Sequence, residues 1–133
     1  MEVLNWAQNQ TFHPERIEAP RSADEALRLI QDSTSVKALG TKHCFSRIAE
    51  TEGVFLSTQN LIDVGEVDPQ TMTVEVGAGV RYGDLCQSLA SKGFAIHNLA
   101  SLPHISVAGA CATATHGSGV SNPSLASAVV GIR

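Results

Sequence analysis

Residues 100–119 read Ala-Ser-Leu-Pro-His-Ile-Ser-Val-Ala-Gly-Ala-Cys-Ala-Thr-Ala-Thr-His-Gly-Ser-Gly, and this stretch decides the fold. Nearly every side chain in residues 106–115 is small. Such a composition lets a helix or turn bring its backbone very close to another surface. That surface is either a tightly packed helix or a phosphate or flat ring. For a ligand, Ser101, Ser106, Thr113 and Thr115 supply hydroxyls and the chain supplies amides. A second stretch, Gly40-Thr41-Lys42-His43-Cys44-Phe45-Ser46, follows directly on Val36-Lys37-Ala38-Leu39. A glycine at the end of a strand lets the backbone turn sharply, and amides with the Thr41 and Ser46 hydroxyls can cradle an anion such as pyrophosphate. His43 in that turn is either at the ligand or structural; the loop has neither the P-loop nor the Rossmann pattern.

Around these stretches the chain alternates short extended pieces with helices. Residues 3–12 read as an irregular extended arm. Pro14 and Pro20 bracket a second extended piece at residues 16–19, and neither piece can be helical across its proline. Ser22-Ala23-Asp24-Glu25 is a capping box, and Ala26, Leu27, Leu29 and Ile30 follow at helical spacing, which predicts a helix over residues 23–32. Residues 36–39 and 53–57 read as strands, as do residues 64–67 and the alternating residues 71–76. Residues 82–92 predict a helix with Leu85, Cys86 and Leu89 on one face, covering the sheet, and Gly93 stands where a left-handed C-cap is needed. Residues 125–132 read as a terminal strand.

The chain has 133 residues, with 9 Lys+Arg against 13 Asp+Glu, a formal charge of −4. That balance excludes a nucleic-acid binder working by bulk positive charge. An apolar fraction of 43% with 17% charged residues gives enough oily surface for one packed domain, or part of one. Cys44, Cys86 and Cys111 form no CxxC pair and suggest neither a disulfide framework nor a zinc knuckle, so the expectation is reduced thiols in a cytoplasmic protein. The start of the sequence lacks the pattern of a signal peptide, and no run approaches 18 apolar residues.

Weaker candidates fall away. His97, His104, Cys111 and His116 match no recognised metal spacing. Gly117-Ser118-Gly119 has His116 where a nucleophile elbow requires glycine. The acidic residues between Glu15 and Glu25 and at Glu50 and Glu52 read as a solvated face. Trp6 and Phe12 read as anchors of the arm rather than stacking platforms.

On residues 40–45, the turn Gly77-Ala78-Gly79-Val80-Arg81-Tyr82 and above all residues 100–119, the chain resembles the flavoprotein oxidases with a vanillyl-alcohol-oxidase (PCMH) type of FAD-binding domain. The nearest branch is that of the alditol (xylitol) oxidases and the aldonolactone (gulonolactone and arabinonolactone) oxidases. The resemblance implies an α+β fold, a PCMH-type FAD-binding subdomain of short mixed strands with two or three flanking helices and an incomplete sheet. Residues 1–133 would be its N-terminal portion, with the C-terminal FAD subdomain and the substrate domain absent. A truncated non-catalytic remnant and one subunit of a split oxidase are the alternatives, the first because a strand at residues 125–132 would be an unpaired apolar edge.

The implied cofactor is FAD, bonded covalently at its 8α-methyl by His43. That chemistry needs a neutral imidazole nucleophile and dipoles that stabilise negative charge on the ring. The usual loop of this branch is G-x-G-H-S; here Lys42 stands for the second glycine and Cys44 for the serine. Leu39, Gly40, Thr41, Lys42, His43, Cys44 and Phe45 would line the cofactor from one side. Ser106, Gly109, Ala110, Cys111 and Ala112 would meet its diphosphate or ribityl chain, with His116 and Gly117 nearby. Ser101 would face flavin and polyol. The implied reaction is oxidation of a sugar alcohol or aldonolactone with oxygen as acceptor. Substrate would bind only with the missing C-terminal domain, and no catalytic base is assignable.

Overall fold

The computed structural model describes residues 1–133 and divides them into two compact units, Met1–Ile62 and Asp63–Arg133. Each unit has apolar clusters of its own. No helix is long and apolar enough to cross a membrane.

The first unit is built on a three-stranded parallel sheet. β3 (Arg16–Glu18) and β4 (Val36–Leu39) flank β5 (Val54–Ser57), with Arg16 and Val36 both in register with Val54. All four β5 residues are buried, as a central parallel strand requires, and its sequence is correspondingly an apolar run. α1 (Ala23–Gln31) joins β3 to β4. The Ser22 hydroxyl accepts the Glu25 N–H at 3.1 Å, and the Glu25 carboxylate accepts the Arg21 N–H at 2.7 Å. The capping box therefore works with its return bond one residue earlier than the ideal pattern.

The expected irregular arm is instead a hairpin. β1 (Val3–Leu4) pairs antiparallel with β2 (Thr11–Phe12). Its turn is organised by Asn5, only 2% exposed. The Asn5 Oδ1 accepts the Asn9 and Gln10 N–H groups, and its Nδ2 donates to the Asn9 Oδ1 and the Cys44 carbonyl. A buried amide with both ends satisfied substitutes for the backbone ladder across the turn. Behind it Val3, Phe12, Leu39 and Phe55 form one core, with Cys44 and Ala49 packed on it.

In the second unit the two strands expected at residues 64–67 and 71–76 are reduced to isolated antiparallel bridges, Val64 to Val76 and Asp68 to Thr73. The arm from 64 to 68 carries one more residue than the arm from 73 to 76, the mismatch of a β-bulge, which interrupts the ladder. Asp68 closes the turn by accepting the Gln70 and Thr71 N–H groups, bonds that hold its carboxyl below the usual carboxylate range.

α2 (Tyr82–Ser91) buries Tyr82, Leu85 and Leu89. Leu85 and Leu89 pack with Val80 against Val64, Val67, Val74 and Val76, so within its unit the helix covers this bridged hairpin. Its C-terminus is a Schellman motif: Gly93 has φ +82°, its N–H donates to the Ala90 carbonyl, and the Phe94 N–H donates to the Leu89 carbonyl.

α3 (Val107–Ala112) follows Ser106. The expected terminal strand over residues 125–132 does not form. Leu125–Ala128 is one 3₁₀ turn, closed by Ser127 N–H to Ser124 C=O and Val129 N–H to Ala126 C=O, each 3.0 Å. Only Leu125 of this run is buried, anchored by its N–H on the Thr115 carbonyl. Local i to i+3 bonds satisfy the small Ala-Ser-Ala backbone there without a neighbouring strand. The apolar edge expected from that strand is therefore absent.

Candidate functional site

The stretch at residues 40–46 lies in the first unit and the stretch at residues 100–119 in the second. At the first, the buried Leu39 ends β4 and its carbonyl accepts the Thr58 N–H, which fixes where the loop leaves the sheet. Gly40 and Lys42 are exposed, Thr41, His43 and Cys44 half-buried, and Phe45 59% exposed. Lys42 has φ +63°, the left-handed region. A residue other than glycine there carries backbone strain of order 1 kcal/mol. The loop thus keeps the conformation a glycine would adopt at this position.

One consequence is measurable. Lys42→Gly is expected to be neutral or to stabilise by up to about 1 kcal/mol, because relieved strain is partly offset by the freer unfolded chain. Lys42→Val, branched at Cβ, is expected to destabilise by about 1–2 kcal/mol. Urea denaturation of the two variants checks the order, and the reverse order would show that the loop does not hold this conformation.

The His43 ring is held on two sides. Its Nδ1 lies 3.0 Å from the Thr41 hydroxyl. The Trp6 indole stacks on it with ring centroids 5.0 Å apart and planes inclined by 25°. The expectation that Trp6 only anchors the arm is thereby corrected: it is an aromatic platform for the loop's histidine. The backbone is tied as well, because the Trp6 N–H donates to the Lys42 carbonyl at 2.7 Å and Asn5 Nδ2 to the Cys44 carbonyl at 2.8 Å. These two bonds flank His43 on either side. Cys44 turns toward the core cluster, and burial pushes its thiol pKa up, so it stays protonated and a poor nucleophile at neutral pH. Asn5 and the stacking role of Trp6 have no local sequence signal beyond a polar residue beside the sole tryptophan, since His43 and Cys44 lie more than thirty residues away.

Residues 101–106 lie in the second unit. Their backbone closes the start of α2: the Ile105 carbonyl accepts the Tyr82 N–H at 3.1 Å, and the Pro103 carbonyl accepts the Gly83 N–H at 2.7 Å. These are two of the donors that a helix start leaves unpaired. Ser101 is exposed, whereas Ser106 is 1% exposed and bridges to Arg81. A Cβ on Gly109 would stand 2.7 Å from the Ser106 Oγ, so the small residue is needed for the hydroxyl to lie over the first turn of α3.

The other α3 residues divide by environment. Ala110 is buried among Tyr82, Ile105 and Leu125, and its N–H is spent on the Ser106 carbonyl. The Cys111 Sγ lies 3.7 Å from the Tyr82 hydroxyl, and burial together with this contact raises the tyrosine pKa. Ala112 is exposed at the helix end, followed by a hydroxyl pair in which Thr113 donates to the Gly109 carbonyl and lies 3.2 Å from the Thr115 Oγ1. The packing reading of the small-residue stretch holds at Ala110, while Ala112, Thr113 and Ser101 are exposed.

Close approach is most severe at Gly117, where a Cβ would stand 2.3 Å from the Leu99 carbonyl oxygen. The neighbouring His116 is exposed, and its Nδ1 donates to the Gly117 carbonyl at 2.9 Å, which leaves Nε2 directed elsewhere. The loop at residues 40–45 offers hydroxyl, amide, lysine and imidazole groups, and residues 101–117 of the second unit offer hydroxyls, amides and imidazoles, each a kind of donor that phosphate and polyol oxygens accept from.

Comparison with known proteins agrees with that chemistry. Residues 14–133 match the family described as FAD binding domain. The chain is 42% identical over 130 residues to the alditol oxidase of a Streptomyces species, covering 96% of this chain and 31% of that protein. It is 34% identical over 133 residues to the L-gulono-1,4-lactone dehydrogenase of Mycobacterium tuberculosis, covering 97% and 31%. It is 34% identical over 122 residues to the D-arabinono-1,4-lactone oxidase of Kluyveromyces lactis, covering 86% and 23%. The chain thus spans under a third of the length of these relatives. In fold it is similar to cholesterol oxidase from B. sterolicum, with a TM-score of 0.72 at 19% identity over 87% of this chain and 24% of that one. A solvent-stable cholesterol oxidase gives 0.72 at 21% identity over 90% and 24%. With its short mixed strands, its flanking helices and a match running from residue 14 to residue 133, the chain belongs to the FAD binding domain family.

Proposed function

We propose that this chain is the N-terminal part of the FAD-binding domain of an oxidase acting on the CH–OH group of a sugar alcohol or an aldonolactone, with the flavin bonded to His43. The single observation that carries the reading is His43 held between the stacked Trp6 ring and the Thr41 hydroxyl. The identity to an alditol oxidase supports the substrate class.

Bound FAD would supply the acceptor for a hydride from the carbinol carbon and return the electrons to dioxygen as hydrogen peroxide. The residues of this chain bind and orient. Lys42, at the tip of its loop, brings the positive charge suited to a pyrophosphate. Ser106 sets its hydroxyl over the first turn of α3 beside Gly109, and Thr113 and Thr115 offer hydroxyls to a polyol chain. Ser101 is the candidate contact to substrate.

The visible spectrum before and after acid precipitation tests the proposal. The expected result is a yellow protein whose colour stays with the pellet. Colourless protein that takes up no added FAD would sink the cofactor assignment, and colour released to the supernatant would sink the covalent one. Oxygen consumption with xylitol or sorbitol tests the substrate class separately.

A further inference from the structure

We infer that Trp6 is a positioning residue for the covalent attachment of flavin, with Asn5 as its support; this rests on His43 being the attachment site. The bond in question joins an imidazole nitrogen to the flavin 8α-carbon. That carbon gives up one hydrogen and the imidazole its N–H, and two electrons with two protons go to dioxygen as hydrogen peroxide.

A histidine side chain can turn about two bonds, and only a small fraction of its orientations points a lone pair at a given carbon. Here both freedoms are restricted. The indole face stacked at 5.0 Å limits the ring to planes near its own, and the Thr41 hydroxyl at 3.0 Å from Nδ1 selects the flip within that plane. The backbone on which the ring sits is fixed by the same arm, through Trp6 N–H to the Lys42 carbonyl and Asn5 Nδ2 to the Cys44 carbonyl. Asn5 is itself locked by the Asn9 and Gln10 amides. One hairpin turn therefore sets the carbonyl before His43, the carbonyl after it and the plane of its ring. Packing alone does not require this: Trp6 is 53% exposed, whereas Phe12 at the other end of the hairpin is fully buried and supplies the core contact.

Trp6 is the only tryptophan, so intrinsic fluorescence reports this stack without any flavin. In flavin-free protein, His43→Ala is expected to change emission intensity by about 1.5-fold as the stacked ring is lost. Unchanged emission would show that the rings do not meet and would overturn the inference. The rate at which added FAD becomes acid-stable then separates positioning from binding. Trp6→Phe, which keeps an aromatic face, is expected within about twofold of the unaltered protein, and Trp6→Leu about tenfold slower, with FAD affinity for both changed by less than about twofold. Trp6→Leu keeps an apolar side chain but removes the ring, so a fold defect is judged from its circular dichroism and from the Phe variant. An unaltered rate in Trp6→Leu overturns the inference while leaving His43 as the attachment site. Absence of acid-stable flavin in the unaltered protein overturns the attachment reading and this inference with it.

Discussion

His43→Ala is expected to move all flavin from the acid pellet to the supernatant while the protein still folds and still takes up FAD. Alanine has no nucleophilic atom, and the adjacent Cys44 cannot take over, because its thiol is packed on the Phe12 and Phe55 cluster and held protonated by burial. His116, the other histidine among the candidate contacts, uses its Nδ1 on the Gly117 carbonyl. The fold is expected to lose only about 1 kcal/mol, since His43 is half-buried and its two partners, Trp6 and Thr41, remain able to meet solvent. Flavin affinity is expected to persist because hydroxyls and amides, rather than the imidazole, suit the diphosphate. A pellet that stays yellow in the variant would place the bond on another residue.

Phe55→Ala is expected to cost about 3–5 kcal/mol, a large part of the total stability of a domain of this size. Phe55 is fully buried at the centre of the parallel sheet and meets Phe12 edge to face, with centroids 6.1 Å apart and planes at 80°. Its removal leaves a cavity bounded by Val3, Phe12 and Leu39, on which Cys44 also packs. The same change should loosen the His43 loop, which hangs between Leu39 and Cys44. Urea denaturation gives the magnitude, and the smaller truncation Phe55→Leu is expected to lose only about 1–2 kcal/mol. A loss below about 1 kcal/mol in Phe55→Ala would mean that this cluster is not the core of the first unit.

How much of this was legible in the chain follows from how far apart the interacting groups are. Ser22 to Glu25, Gly93 after α2, and the apolar runs at β4 and β5 are local signals, and the elements stand where those residues put them. Residues 125–132 misled because an apolar run of eight carries no period that separates a strand from a turn, and the small residues at 126–128 fold onto their own carbonyls. Residues 64–76 alternate correctly, yet the extra residue on one arm reduces two strands to two bridges. The role of residues 101–106 in closing the α2 start has no sequence signal, because backbone carbonyls bear no residue type.

By itself the sequence determined the family, the helices and the loop that carries His43, since each depends on side chains a few residues apart and on a long specific motif. Only the tertiary structure decided what holds that histidine. Asn5 and Trp6 reach Lys42, His43 and Cys44 across nearly forty residues of chain, a contact made when the hairpin closes over the Phe12 and Phe55 core. No local pattern encodes such a contact, because burial and the hydrogen-bond needs of the Asn5 amide are settled only once distant segments are packed together.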